Sequence, residues 1–215
     1  MSWPRILFLI RHGRSDFDSN ELRESPRGWQ WDPPLSEEGR EQARLLTRRL
    51  RLMPDLAAVY CSPFRRALET LAPFAEPTGT HVNLDEDLGE AYLGQWENKS
   101  FEEILASDEQ LLTKYRNQDA IWRHAPDAER IVDLRKRVAT TVEGIIERHS
   151  EGNLLVVAHG GVINAYIGPI LGLEQEMFFL PENTSLNSVD IVGEERRIRF
   201  LNDVRHLTDP ELFED

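Results

Sequence analysis

Three short apolar runs constrain the fold more than any other feature of this sequence. They occupy residues 5–10, 57–61 and 154–158. Continuous apolar runs of this length are typical of strands that are buried on both faces. Segments with helical spacing follow the runs, at residues 36–52, 64–74 and 162–171. This alternation predicts an α/β fold, a three-layer α/β/α sandwich with a mostly parallel central sheet.

The remaining elements extend this pattern over the whole chain. Residues 131–149 carry the strongest helical pattern, with apolar side chains along one face, and residues 100–115 show weaker helical spacing. Further strands are predicted at residues 81–84, 185–192 and 197–201. No repeat, low-complexity tract or linker divides the sequence, so we expect a single domain over residues 1–215.

The charge balance narrows the range of partners. The chain has 25 Lys and Arg residues against 38 Asp and Glu, a net charge of −13. A nucleic-acid-binding face needs clustered positive charge, and an anionic membrane attracts basic segments. The composition therefore argues against nucleic-acid and membrane partners.

Cysteine usage and hydropathy indicate the compartment. One cysteine, Cys61, excludes an intrachain disulfide framework and a multi-cysteine metal site, and it fits a reducing environment. The apolar run Ile6–Ile10 is shorter than the apolar stretch of a signal peptide. We therefore expect a cytoplasmic protein.

The residues that follow the apolar runs are candidate site residues, because ligands bind beyond the carboxyl ends of parallel strands. These residues are Arg11-His12-Gly13, Ser62 leading to Arg66, and His159-Gly160-Gly161. Glycine amides and guanidinium groups bind anions, and a neutral imidazole is a nucleophile towards phosphorus. We expect the arginines to lower the pKa of His12 and keep it unprotonated. The sequence therefore predicts a phosphate site at this edge of the sheet.

Five motifs in this order resemble the histidine phosphatase superfamily, the phosphoglycerate-mutase-like proteins. They are residues 9–15 (LIRHGRS), 32–39 (DPPLSEEG), 61–70 (CSPFRRALET), 88–97 (LGEAYLGQWE) and 158–163 (AHGGVI). The His-Gly-Gly at 159–161 is closer to the mutase and cytosolic phosphatase branch than to the acid phosphatases. The resemblance implies a metal-independent phosphomonoester hydrolase that acts through a phosphohistidine, without a cofactor.

The resemblance also implies a role for each matching residue. His12 would be the nucleophile, and Arg11 and Arg66 would clamp the phosphoryl oxygens. His159 would stabilise the transition state, and Glu90 would act as general acid and then as general base. Arg65, next to the clamp, is expected to face solvent or a surface carboxylate.

Further residues are candidates for binding the phosphate. Ser15 and Ser62 would each either shape a turn or contact phosphate, and Gly160 would offer a backbone amide. Asp18 stands where the family usually has asparagine. An ionised aspartate cannot donate a hydrogen bond to phosphate. Asp18 is therefore turned away from the phosphate, protonated, or selective for a cationic group on the substrate. Asn20 is a candidate to substitute for the missing asparagine.

The sequence leaves two alternatives to hydrolysis open. It also leaves open which residues line the substrate side of the site. A cofactor-dependent phosphoglycerate mutase would use the same residues, and a non-catalytic binder of phosphate ligands is a third reading. The expected partner is a small phosphorylated metabolite, and a homodimer is a family-level expectation. Trp29 and Trp31 would form either an apolar substrate wall or ordinary packing.

Overall fold

The computed structural model describes residues 4–53, 55–97, 99–107, 111, 113 and 124–213. The strands are β1 (Arg5–Arg11), β2 (Leu22–Ser25), β3 (Gly28–Trp31), β4 (Leu56–Cys61), β5 (Val82–Leu84), β6 (Asn153–Ala158), β7 (Leu186–Val192) and β8 (Glu195–Asp203). The helices are α1 (Glu37–Arg51), α2 (Arg65–Thr78), α3 (Phe101–Ser107), α4 (Ile131–Arg148), α5 (Gly160–Ile170) and α6 (Arg205–Thr208).

The central sheet has the strand order β5-β4-β6-β1-β7-β8. The strands β5, β4, β6 and β1 run parallel to one another, whereas β7 pairs antiparallel with both β1 and β8. The parallel strands carry the continuous apolar runs, because both of their faces are covered. The prediction of a mostly parallel sheet is confirmed.

Helices cover both faces of this sheet. On one face, α4 and α5 pack against the strands through side chains such as Val138, Val142 and Ile163. On the other face, α1 and α2 do so through Leu46 and Leu71. All five side chains are buried. The predicted three-layer sandwich is therefore confirmed.

The ends of the helices follow local sequence signals. Ser36 caps α1 by accepting a hydrogen bond from the amide of Gly39 at 3.1 Å. Helix α2 passes the predicted end at residue 74 and stops at Gly79, which has a φ of 64°. Helix α5 begins at Gly160, two residues earlier than predicted, so its start lies directly after His159.

Two other helix predictions differ in extent. The predicted helix at 131–149 ends one residue earlier, at Arg148. Of the predicted helix at 100–115, α3 covers Phe101–Ser107, and residues 108–110, 112 and 114–115 lie outside the described residues.

The hairpin formed by β2 and β3 was not predicted. Its antiparallel register pairs Leu22 with Trp31 and Ser25 with Gly28. The sequence here is mostly polar and lacks the apolar alternation that indicates a strand. The hairpin is held instead by distant residues, since the amide of Trp31 donates to the Glu97 carboxylate at 2.8 Å.

Candidate active site

The carboxyl ends of β1 and β6 bring the two predicted histidines together. Arg11 pairs with Ala158 in the parallel register, and the amide of His12 donates to the carbonyl of Ala158 at 3.0 Å. The ring centroids of His12 and His159 are 5.1 Å apart. The sheet thus makes neighbours of two residues that are far apart in the chain.

His12 is held in one tautomer. Its Nδ1 lies 2.7 Å from the carbonyl oxygen of Gly13, which can only accept a hydrogen bond, so Nδ1 carries the proton. Nε2 is then the nitrogen that keeps a lone pair. Burial, followed by the charges of Arg66 and Arg11, lowers the pKa of His12 well below 6.5. His12 is therefore a neutral imidazole with a free Nε2 at neutral pH, the form a nucleophile needs.

This electrostatic environment predicts how His12 titrates. Because its pKa is lowered in the folded protein, we expect the ring to stay neutral well below pH 6.5, and ¹⁵N NMR of labelled histidine across pH 4–8 measures this directly. The unfolded chain binds the proton more readily, so the free energy of unfolding should fall as the pH drops below about 6.5. A His12 that titrates at or above the value of a histidine peptide contradicts the prediction.

His159 lies fully buried behind His12. Its Nε2 is 2.8 Å from the hydroxyl of Ser62, and Phe64 packs edge-on against the ring. Burial and the nearby Arg66 lower the pKa of His159 well below 6.5. Ser62, a candidate phosphate contact, does not line the cavity over His12; it positions His159 instead.

Arg66 is the arginine that the start of α2 directs into the site. It is 7% exposed, and its Nη1 donates to the carbonyl of Trp31 at 3.0 Å. Its guanidinium lies over the Phe64 ring, 4.7 Å from the centroid. The neighbouring Arg65 points outwards and forms ion pairs with the surface carboxylates Glu21 and Glu69.

Arg11 lines the same cavity from the end of β1. Its Nη1 donates to the carbonyl of Pro181. Its Nε is buried and has no hydrogen-bond partner among the described residues, and the same holds for Nδ1 of His159. These two unpartnered nitrogens, together with the guanidinium of Arg66, indicate a site that binds an anion.

Glu90 reaches the site from the segment after β5. One carboxylate oxygen accepts from the amide of Ala91 at 2.9 Å, and the other accepts from the amide of Gly161 at 3.2 Å. A Cβ at position 161 would lie 2.4 Å from Oε1 of Glu90, so any side chain there would displace the carboxylate. Gly161 is one of the residues that follow the third apolar run, and the structure brings its backbone amide to the Glu90 carboxylate.

A cavity of about 190 Å³ lies next to His12, and His159 is not among the residues that line it. Its polar part includes the predicted residues Arg11, His12, Ser15, Arg66 and Glu90. An apolar part adjoins it, lined by Phe17, Trp31, Phe64, Ala91 and Leu93. Trp29 and Trp31 were candidates for an apolar substrate wall. Trp31 lines the cavity, and Trp29 lies outside it.

Three cavity residues were missed because nothing local indicates them. Gln30 lies on β3 and is 1% exposed. The Glu97 carboxylate accepts hydrogen bonds from the amides of Trp31 and Leu93, both at 2.8 Å. Burial raises the pKa of Glu97. Asn183 precedes β7 and donates from Nδ2 to the carbonyl of His12 at 3.0 Å. Each is placed by contacts with residues far away in the sequence.

The remaining candidates divide into near and distant residues. Ser15 is buried and lines the cavity. Gly160 does not line it, and a Cβ there would lie 3.9 Å from Nε of Arg11. Asp18 is exposed and outside the cavity, in a turn where its amide donates to Asp16. The structure therefore places Asp18 outside the phosphate site, in an exposed turn that the Asp16 carboxylate closes. Asn20 is exposed too and does not line the cavity.

Neither a metal cluster nor a membrane-spanning helix occurs in the described ranges, residues 4–53, 55–97, 99–107, 111, 113 and 124–213. Within them, no group of three or more His, Cys, Asp or Glu side chains is arranged to hold a metal ion. None of the helices described is both long and apolar enough to cross a membrane.

Comparison with known proteins identifies the family. The family model of the histidine phosphatase superfamily (branch 1) matches residues 7–204. The chain belongs to the histidine phosphatase superfamily. The solved structure of Bacillus stearothermophilus YhfR is similar, with a TM-score of 0.81, 28% identity, and coverage of 94% of this chain and 98% of its own.

Curated relatives of this histidine phosphatase carry enzyme names. A Hydrogenobacter thermophilus protein named as a candidate phosphoserine phosphatase 2 is 28% identical over 93% of this chain and 96% of its own length. A glucosyl-3-phosphoglycerate phosphatase of Mycolicibacterium vanbaalenii is 31% identical, with coverages of 79% and 75%. A Photorhabdus laumondii protein named as a candidate phosphoglycerate mutase is 26% identical, with coverages of 97% and 97%. The predicted histidine phosphatase is confirmed.

Proposed function

We propose that this single-domain protein hydrolyses phosphomonoesters of small metabolites in two steps, through a phosphohistidine at His12. The observation that carries the proposal is the state of His12, a neutral imidazole whose Nδ1 is fixed by Gly13 and which lines one cavity with Arg11, Arg66 and Glu90. The phosphatase names of the relatives support the same reaction.

In the first step, Nε2 of His12 attacks phosphorus. The Nε2–P bond forms as the bond from phosphorus to the ester oxygen breaks. Glu90 gives its proton to that oxygen, and the alcohol leaves. Nδ1–H keeps its hydrogen bond to Gly13, which stabilises the positive charge that develops on the ring.

In the second step, water attacks the phosphohistidine. Glu90, now a carboxylate, takes a proton from the water, the new O–P bond forms and the P–N bond breaks. Inorganic phosphate leaves, and Glu90 is again protonated, so both groups return to their starting state. The same side chain acts as acid and then as base, as microscopic reversibility requires of a two-step displacement.

Charge stabilisation comes from the residues around His12. Arg11 and Arg66 would bind the three non-bridging oxygens, and the buried Nε of Arg11 and Nδ1 of His159 would both gain a partner. Phosphoryl transfer needs positioning and charge stabilisation more than covalent chemistry from the protein. The two guanidinium groups supply this positive charge, so the reaction should proceed in EDTA.

The test separates hydrolase, mutase and binder in one assay. Phosphate release is followed in EDTA with a panel of phosphomonoesters, and a second arm holds 3-phosphoglycerate with a trace of 2,3-bisphosphoglycerate. We expect release from the panel and an acid-labile phosphoprotein in rapid-quench samples. Isomerisation of 3-phosphoglycerate without release would identify a mutase. Phosphate binding with neither activity would identify a non-catalytic binder.

A further inference from the structure

The cavity next to His12 has an aromatic wall. The rings of Phe17 and Trp31 have centroids 5.6 Å apart and are inclined by 33°. Both rings line the cavity, and Phe17 is 65% exposed there. An exposed aromatic side chain alone is common, but two aromatic rings in contact beside a polar pocket form a surface suited to an apolar group.

This wall is fixed relative to the phosphate clamp. The indole N–H of Trp31 donates to the carbonyl of Ser19 at 2.7 Å, and its backbone amide donates to Glu97. Its carbonyl accepts from Nη1 of Arg66 at 3.0 Å. Arg66, which would hold the phosphoryl oxygens, therefore also positions Trp31, against which Phe17 packs. A substrate bound at Arg66 would lie next to this wall.

The charges around the cavity disfavour a second anionic group on the substrate. Of the described lining residues, only Arg11 and Arg66 are cations, and both would be occupied by the phosphoryl group. Glu97 lines the cavity next to Trp31, and each of its carboxylate oxygens accepts a hydrogen bond from a backbone amide. A carboxylate or second phosphate on the leaving group would face Glu97 without a cation to compensate it.

We propose that the cavity selects phosphate esters whose leaving group is an uncharged alcohol bearing an aromatic or other flat apolar ring, and that Phe17 determines this specificity. The inference rests on the proposed phosphatase function and names the substrate class of the same site. The ring of the leaving group would pack against Phe17 and Trp31, while its ester oxygen stays within reach of Glu90.

The test compares three esters of primary alcohols, so that the intrinsic reactivity of the leaving group stays similar. They are 2-phenylethyl phosphate, propyl phosphate and 3-phosphoglycerate. We expect kcat/KM to be at least about tenfold higher for 2-phenylethyl phosphate than for propyl phosphate, given the usual contribution of an aromatic contact. We expect 3-phosphoglycerate to be the poorest of the three.

Two variants assign the preference to Phe17. Phe17→Ala should lower kcat/KM for 2-phenylethyl phosphate about tenfold and change propyl phosphate less than about twofold. Trp29→Ala is the matched control, because Trp29 is an aromatic side chain that is 59% exposed but lies outside the cavity. It should leave the ratio between the two esters unchanged. Phe17→Arg adds a cation at the wall and should raise the relative rate of 3-phosphoglycerate.

The outcomes distinguish this inference from the function on which it rests. Equal kcat/KM values for the three esters, a preference for 3-phosphoglycerate, or an equal loss on all esters in Phe17→Ala would overturn the specificity and leave the phosphatase intact. No phosphate release from any of them, or from p-nitrophenyl phosphate, would overturn the proposed function itself.

Discussion

Replacing His12 with alanine should lower kcat for phosphomonoester hydrolysis by about 10⁴-fold or more, because it removes the nucleophile of a covalent mechanism. Arg11, Arg66 and His159 stay in place, so product inhibition by inorganic phosphate should change far less than kcat. The measurement is phosphate release under saturating substrate, with rapid-quench detection of the acid-labile phosphoprotein. The phosphoprotein should disappear completely in the variant.

The controls for this variant are a second histidine and the unfolding midpoint. His81 is exposed and lies outside the site, so His81→Ala should keep wild-type kcat. His12 is buried, and its removal should cost on the order of 1–3 kcal/mol of the free energy of unfolding, which urea titration measures. A His12→Ala protein that is folded and retains more than a few per cent of kcat would refute the assignment of the nucleophile.

Replacing Glu90 with glutamine should have effects that depend on the leaving group. An alkoxide leaves poorly without a proton, so kcat for an alkyl phosphate should fall by about 10²–10⁴-fold. p-Nitrophenolate needs no proton, so the first step with p-nitrophenyl phosphate should stay fast. Loss of the general base should slow the second step, and the phosphohistidine should accumulate.

Stopped-flow measurement with p-nitrophenyl phosphate distinguishes the two roles of Glu90. We expect a burst of p-nitrophenol equal to the enzyme concentration, followed by slow turnover. Glu41→Gln is a matched control, since the Glu41 side chain is 54% exposed and outside the site. Equal losses on alkyl and aryl esters without a burst would contradict the acid and base roles and would point to a role in positioning Gly161.

Asp18, which stands where the family usually has asparagine, is exposed, and this changes the interpretation of the difference. The sequence alone left open a protonated or substrate-selective aspartate at the phosphate site. In the structure, Asp18 lies in a solvent-exposed turn, and the cavity is lined nearby by Ser15 and Phe17 instead. The unusual residue therefore belongs to the surface, and the adjacent Phe17 is the residue of this loop that faces the site.

The sequence by itself determined the layers of the fold and the reactive edge of the sheet. Short apolar runs and helical periodicity record which side chains are buried, and burial is a local property of a strand or helix. The polar residues that follow β1, β4 and β6 therefore had to meet at one edge. His12, Arg66 and His159 could be found in this way, and the resemblance to the family added Glu90.

Only the tertiary structure decided the hairpin, the tautomer and the wall of the cavity. The hairpin β2–β3 is polar, and it is held by Glu97 and Arg66, which lie far away in the sequence. The Gly13 carbonyl accepts a hydrogen bond from Nδ1 of His12 and so determines which ring nitrogen carries the proton. Ser62 contacts His159 because β4 and β6 are adjacent in the sheet. These features depend on contacts between distant segments, and no local pattern of residues encodes such contacts.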